Sequence, residues 1–329
     1  MSKTSVITGA TGLIGYALTL ELIARGERPR LLLRKPSPFF EAMDCDIAIG
    51  DITVPETLMR AFAGADIVYH LAGVIELGNG NDEMVWKVNV EGTKNVVEAC
   101  KACGVGCMIY ASSTDAMKPA PQGEIMREAE TFSRDIVNGT YAKSKAAATS
   151  LVLNSASESL HVTAILPSAV IGPYDRKFSA VGALTNFCVK HRFPVTLRFG
   201  GYNFVDVRDV AQAMCACTQK EDMPNASVYL LSGEFISIRS LIGMLSELTG
   251  HKPPRLPVPY WLAMASAPIA ELVFKMIGKF PLFSRYSVRK VMDNGLFCHD
   301  KATQELGFQP RGARESLADA IQYIQEKWK

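Results

Sequence analysis

Thr8-Gly9-Ala10-Thr11-Gly12-Leu13-Ile14-Gly15 is the stretch on which the fold turns. The apolar run Ser5-Val6-Ile7 leads into it and a helical pattern leaves it as far as Arg25, so a strand passes into a helix through three glycines. Glycine at 9 permits a tight turn, at 12 close approach of backbone to a pyrophosphate, and at 15 close packing of helix on strand. The helix N-terminus adds oriented N–H groups that favour an anion. A dinucleotide is the ligand expected here, held around Gly9, Thr11, Gly12, Leu13, Ile14 and Gly15.

On either side of later turns, short β-rich runs alternate with longer helical ones. Strands are expected at Thr4–Thr8, Arg30–Leu33, Ile47–Ile49, Ile67–His70, Met108–Ala111 and His161–Leu166. That order predicts right-handed βαβ units, hence an α/β fold of the Rossmann type with a doubly wound parallel sheet. Beyond Pro167 the alternation decays into a smaller, mostly helical, proline-rich block. Helices are expected there at about Ser237–Thr249 and Ala313–Glu326. Residues 1–168 with about 201–233 are assigned to the dinucleotide domain. Residues 169–200 and 234–329 are assigned to a substrate domain.

Composition bounds the partners. The 329 residues carry 35 lysines and arginines against 33 acidic side chains, a net charge of +2, which argues against a nucleic-acid binder. With 48% hydrophobic and 21% charged residues the chain is globular rather than disordered. Apolar runs are too interrupted to span a bilayer, and a strand begins at once after Met1-Ser2-Lys3, so a cytoplasmic protein is expected, with no membrane contact. Cys100, Cys103 and Cys107 lack a fourth ligand nearby and straddle a helix end, so no metal is expected.

At the end of the second strand a carboxylate would bind the adenosine ribose 2′-hydroxyl of NAD. Instead the chain reads Leu33-Arg34-Lys35, and a guanidinium at Arg34 suits a 2′-phosphate. NADP(H) is therefore the expected cofactor, with NAD(H) also allowed. Gly50-Asp51-Ile52 and His70-Leu71-Ala72-Gly73, after the third and fourth strands, add adenosine and backbone contacts. In Tyr141-Ala142-Lys143-Ser144-Lys145 the phenol and the last ammonium share a helix face, and the cation favours the phenolate, making Tyr141 a general acid or base. Ser113, at the carboxyl end of the fifth strand, offers a hydroxyl to polarise a carbonyl.

With Asn89-Val90-Glu91-Gly92-Thr93, Leu166-Pro167, Gly172-Pro173 and Phe204–Ala211 added, the chain resembles the extended short-chain dehydrogenase/reductase superfamily, of the NAD-dependent epimerase/dehydratase type, over nearly its whole length. The resemblance implies a catalytic set of Ser113, Tyr141 and Lys145, with the lysine also on the nicotinamide ribose, and cofactor contacts from Leu71, Ala72, Gly73, Asn89 and Pro167. It also implies a homodimer. Nucleotide-sugar members carry an Arg-Asp pair before the late strand where this chain has Gly201-Tyr202-Asn203-Phe204. Together with the apolar inventory of Pro259–Met264, Leu272–Ile277, Phe280, Leu282 and Phe283, this departure favours a hydrophobic alcohol or ketone and the dihydroflavonol reductase and 3β-hydroxysteroid dehydrogenase branches. A nucleotide-sugar epimerase or dehydratase is the alternative, and a non-catalytic NADP(H) sensor a second.

Overall fold

A computed structural model describes residues 3–75, 81–220, 223–276 and 284–327, without the side chains of 272–275 and 286. Seven strands form the main sheet: β1 (Ser5–Thr8), β2 (Arg30–Leu33), β3 (Asp46–Ile49), β4 (Ile67–His70), β5 (Cys107–Ala111), β6 (His161–Pro167) and, far later, Ser227–Leu231. Every pairing is parallel, in the order Ser227–Leu231, β6, β5, β4, β1, β2, β3. The first six agree with the expected strands to within a residue, and the Rossmann-type sheet is confirmed.

Both faces are covered, which is why the strands are continuously apolar rather than alternating. Val6 of β1 turns to one core with Val68, Met108 and Leu166; Ile7 turns to the other with Leu31, Tyr69 and Ile165. Helix α1 (Leu13–Ala24) closes the Ile7 side. Helices α2 (Pro55–Phe62), α4 (Gly92–Cys103) and α5 (Thr140–Leu153) close the Val6 side, and the short α3 (Asp82–Trp86) runs through a widened turn, Lys87–Glu91, into α4. Leu18, Leu22 and Leu58 are completely buried, and truncating any of them to alanine should cost about 2–5 kcal/mol. Sheet order reverses between β1 and β4, and the crevice beyond their carboxyl ends is where open α/β sheets take ligands.

After β6 the chain builds a second, three-stranded sheet from β7 (Ala169–Ile171), β9 (Gly201–Asp206) and β11 (Phe235–Ser237), while β8 (Val195–Leu197) pairs with β12 (Leu256–Val258). Helices α6 (Ala180–Lys190), α8 (Ile238–Leu248) and α12 (Ala313–Lys327) cover the three-stranded sheet through Cys188, Leu245 and Leu317. Between these elements α7 (Val207–Ala216) returns to pack on α1, and β10 (Ser227–Leu231) completes the main sheet. Thus β9 lies in the small sheet although the helix that follows it belongs to the large one.

The remaining helices are α9 (Tyr260–Met276), α10 (Arg285–Lys290) and α11 (Asp300–Leu306). Ala263 and Ala267 of α9 are buried, whereas Trp261, Ile269 and Met276 are 70%, 68% and 79% exposed. Trp261 and Met276, expected to wall a pocket, stand on the solvent side. Ile277, Phe280, Leu282 and Phe283, with the side chains of Leu272, Val273, Phe274 and Lys275, lie outside the described residues. Residues 294–298 then lace back between the sheets: Met126 N–H donates to Leu296 O, Cys298 N–H to Met126 O and Asn203 N–H to Gly295 O, each at 2.9 Å.

Candidate active site

The glycine turn is a close-fitted cradle. Gly9 has φ +78°, and a Cβ there would lie 2.5 Å from the Ala72 amide nitrogen; a Cβ at Gly15 would lie 2.8 Å from Ala10 Cα. Gly12 N–H donates to Gly9 O at 2.9 Å, and Gly12 begins α1 without any side-chain cap on the first-turn N–H groups. Those groups, with the backbone of Leu71-Ala72-Gly73 facing them, suit a pyrophosphate at the end of the helix. Leu13 and Ile14 start α1 at this mouth, and Thr11 is exposed beside it.

Below the cradle runs a hydrogen-bond relay. Ala72 N–H donates to Thr8 Oγ1 (3.3 Å), Thr8 Oγ1 meets His70 Nδ1 (2.7 Å), His70 Nε2 meets Thr93 Oγ1 (2.9 Å), and Thr93 Oγ1 donates to Asn89 O (2.7 Å). Because Thr93 spends its only proton on that carbonyl, His70 must donate from Nε2 and accept at Nδ1. Burial, helped by the charge of Lys145, lowers the His70 pKa to about 3, so the ring stays neutral. Asn89 continues the relay: its amide brackets Val74 through N–H (2.8 Å) and O (3.0 Å) and donates to Ser144 Oγ (3.0 Å), which donates to Tyr141 O (2.7 Å). Asn89 sits in the widened turn Lys87–Glu91, a distortion common at functional sites. Both its N–H donors are spent on the protein, so it positions the Val74 loop and α5 rather than offering donors to a ligand.

Helix α5 packs along the turn that follows β5 and brings Tyr141 and Lys145 to the sheet edge near Ser113. Lys145 is buried; its Nζ donates to Ala111 O (2.7 Å) and Tyr110 Oη (3.4 Å) and lies 4.9 Å from the centre of the Tyr110 ring. Desolvation lowers its pKa to about 8. A Cβ on Gly73 would come within 3.5 Å of that same nitrogen, so the loop after β4 and the lysine share one space. Ser113 Oγ accepts from Asp115 N–H at 3.1 Å, leaving its O–H to donate outward.

Asp115, two residues on, is not a free acid: Lys290 of α10 holds it at 2.7 Å. Burial opposes the Lys290 charge, but Asp115 outweighs it and keeps the amine well above its ordinary range. Tyr202 lies within β9, its hydroxyl 3.3 Å from Thr114 Oγ1 and its ring edge-on to Phe297; burial, then Asp115, pushes its pKa up to about 12.

The other anticipated cofactor residues are distributed as follows. Arg34 is exposed where β2 ends. Asp51 accepts at Oδ1 from Thr53 N–H (2.9 Å) and Thr53 Oγ1 (2.8 Å), leaving Oδ2 for another donor. Ile52 is buried, its carbonyl accepting from Asn95 (2.9 Å). Pro167 ends β6 opposite Leu231. Overlooked in the sequence were the Thr8–His70–Thr93 relay, the Tyr110 platform for Lys145, and Arg176 and Lys177, whose only local signal was two adjacent cations just past Gly172-Pro173.

The residues present fit a dinucleotide: a turn with no room for a Cβ at Gly9 or Gly15, an uncapped helix start, and a buried cation, Lys145, at the carboxyl end of β5. The sequence profile of the NAD dependent epimerase/dehydratase family matches residues 5–231. "Sterol demethylase protein B" of Methylococcus capsulatus is 29% identical over 98% of this chain and 99% of its own length. "3-beta-hydroxysteroid dehydrogenase" of Mycolicibacterium neoaurum is 27% identical over 97% and 90%. The crystal structure of gox2253 superposes with TM-score 0.84 at 31% identity, covering 99% of each chain.

Proposed function

Because this chain belongs to the NAD-dependent epimerase/dehydratase family, we propose that it is an NADP(H)-preferring oxidoreductase interconverting a secondary alcohol and a ketone on a hydrophobic, polycyclic substrate such as a steroid or flavonoid. The observation that supports this reading is the buried Lys145, held on Ala111 O at the end of β5, two residues before Ser113, and one helical turn from Tyr141. Sterol and hydroxysteroid names among full-length relatives support the substrate class. Tyr202 in place of a phosphate-gripping arginine supports it from the other side.

The nicotinamide, when bound, supplies or accepts the hydride. The chain does the rest. In reduction Tyr141 gives its hydroxyl proton to the carbonyl oxygen; in oxidation its oxygen takes the alcohol proton. Ser113 donates its O–H to the same oxygen and so fixes which face is presented. Lys145 keeps one N–H on Ala111 O and favours the Tyr141 phenolate with its charge. The Lys290 ion pair keeps Asp115 from serving as the extra acid that a dehydratase needs.

Steady-state assays of the purified protein against steroids, flavonoids and aldehydes, with NADPH or NADP⁺, test the proposal. Turnover of at least one hydrophobic alcohol–ketone pair is expected. Activity on a UDP- or GDP-sugar without net cofactor turnover, and none on the panel, would establish the epimerase instead.

A further inference from the structure

Gly172 to Ser179, between β7 and α6, forms a strap over the mouth of the glycine cradle. Its backbone is strained in an unusual way: Tyr174 (φ +77°) and Phe178 (φ +51°) are two of only three non-glycine left-handed residues among the described ones. Bulky side chains adopt that conformation only where their surroundings impose it, and such strain gathers at ligand clamps. Here the surroundings are visible. The Tyr174 ring packs edge-on against Tyr16 of α1 (5.4 Å) and Tyr323 of α12 (5.5 Å), and Asp175 accepts from Ser179 N–H (2.8 Å) to close the strap on itself.

Arg176 staples the strap to both walls of the crevice. Its guanidinium lies 3.6 Å from the centre of the Tyr16 ring and 3.9 Å from that of Phe39, while Nε donates to Tyr323 Oη at 3.2 Å. Tyr16 stands in the opening turns of α1, and Phe39 belongs to the segment after β2 that begins with Arg34 and Lys35. The next residue, Lys177, is exposed, and its Nζ reaches Thr11 Oγ1, at the mouth of the cradle, at 3.4 Å.

Charge gives the strap its direction. Arg176 and Lys177 stand at this end of the crevice, Arg34 and Lys35 are exposed at the start of the segment that carries Phe39, and none of the four is in an ion pair among the described residues. Nearby Arg208 and Arg311, by contrast, are each tied to a buried aspartate, Asp206 and Asp209. Cations left without carboxylates around a helix start await an anion supplied from outside the chain.

We propose that Lys177, presented over the glycine cradle by the strap that Arg176 staples down, is a ligand of the cofactor pyrophosphate. The proposal rests on the dinucleotide reading of the crevice and is independent of whether NADP(H) or NAD(H) is preferred, because both carry the pyrophosphate. Lys177 is a contact residue; Arg176 is a positioning residue that acts through it.

Fluorescence titration of the full-length protein with NADPH, NADH and ADP-ribose tests this without any turnover. Lys177→Ala should weaken all three by the same factor, about tenfold for one charge-assisted contact, and reduce the dependence of affinity on ionic strength. Lys177→Arg should restore most of the loss. Arg176→Ala should weaken binding in wild type and add little in the Lys177→Ala background, the coupling expected of residues acting as one unit. Unchanged affinities in Lys177→Ala, or a loss confined to NADPH, would overturn the pyrophosphate role, and strictly additive losses would overturn the staple. Equal binding of NADH and NADPH by wild type would sink the NADP preference alone. Failure of wild type to bind any of the three would sink the dinucleotide reading itself.

Discussion

Thr8 Oγ1 lies 2.7 Å from Nδ1 of His70, at the carboxyl ends of the two strands where the sheet order reverses. Since the far side of the ring donates to Thr93, His70 is fixed as one neutral tautomer joining the strand that enters the glycine cradle to the helical run carrying Asn89. It organises the crevice floor and has no free lone pair for chemistry.

An acid-side stability slope follows. The unfolded chain protonates His70 below its ordinary value near 6.5, whereas the folded one resists until about 3. Between those values the unfolded state binds the extra proton, so His70 contributes stability above about pH 6.5 that is lost as pH falls toward 3. Urea midpoints from pH 4.5 to 7.5 should rise with pH, and His70→Leu should flatten that rise.

Tyr141→Phe should lower kcat by about 10²–10⁴-fold while leaving cofactor affinity close to wild type. Stopped-flow single turnovers beside equilibrium binding separate the two. Retained turnover would exclude Tyr141 as the proton-transfer group.

Lys145 links function to instability. Burial lowers its pKa from 10.5 to about 8, so the folded state sheds a proton that the unfolded state keeps, and stability should climb between those values. At pH 7 the buried charge is a cost. Lys145→Met should therefore unfold later, by about 1–3 kcal/mol, and be inactive. A less stable variant at pH 7 would contradict the assigned burden.

For cofactor choice, Arg34→Asp should shift the ratio of kcat/KM for NADPH over NADH by about 10–100-fold toward NADH, the value of one charge-assisted contact to a 2′-phosphate. An unmoved ratio would remove Arg34 from that role.

Much of the fold was legible because the local signals are strong: the runs Ser5–Thr8 and Ile67–His70 are apolar on both faces, as buried parallel strands must be, and glycines mark where backbone meets backbone. Gly201–Asp206 was harder. A strand running into a helix reads the same whether it joins the large sheet or the small one, and only its pairing with β7 and β11 decides. In the site, residue types and spacing pointed to Ser113, Tyr141 and Lys145. What escaped depends on partners distant in sequence, such as Tyr110 beneath Lys145, Lys290 on Asp115 and Arg176 on Phe39. The outward apolar face of α9 escaped for a related reason: periodicity reports that a stripe exists, and says nothing of which side faces solvent.

The lacing segment 294–298 has a consequence for the newborn chain. Cradle, relay and Tyr141 helix are all encoded before Pro167, whereas Lys290, the partner of Asp115, and Gly295, the acceptor for Asn203, follow much later in the chain. Domains generally assemble in the order of synthesis. The large sheet's first six strands and the helices on them can therefore take shape while Asp115 still lacks its cation, and that ion pair is added only once α10 has been made.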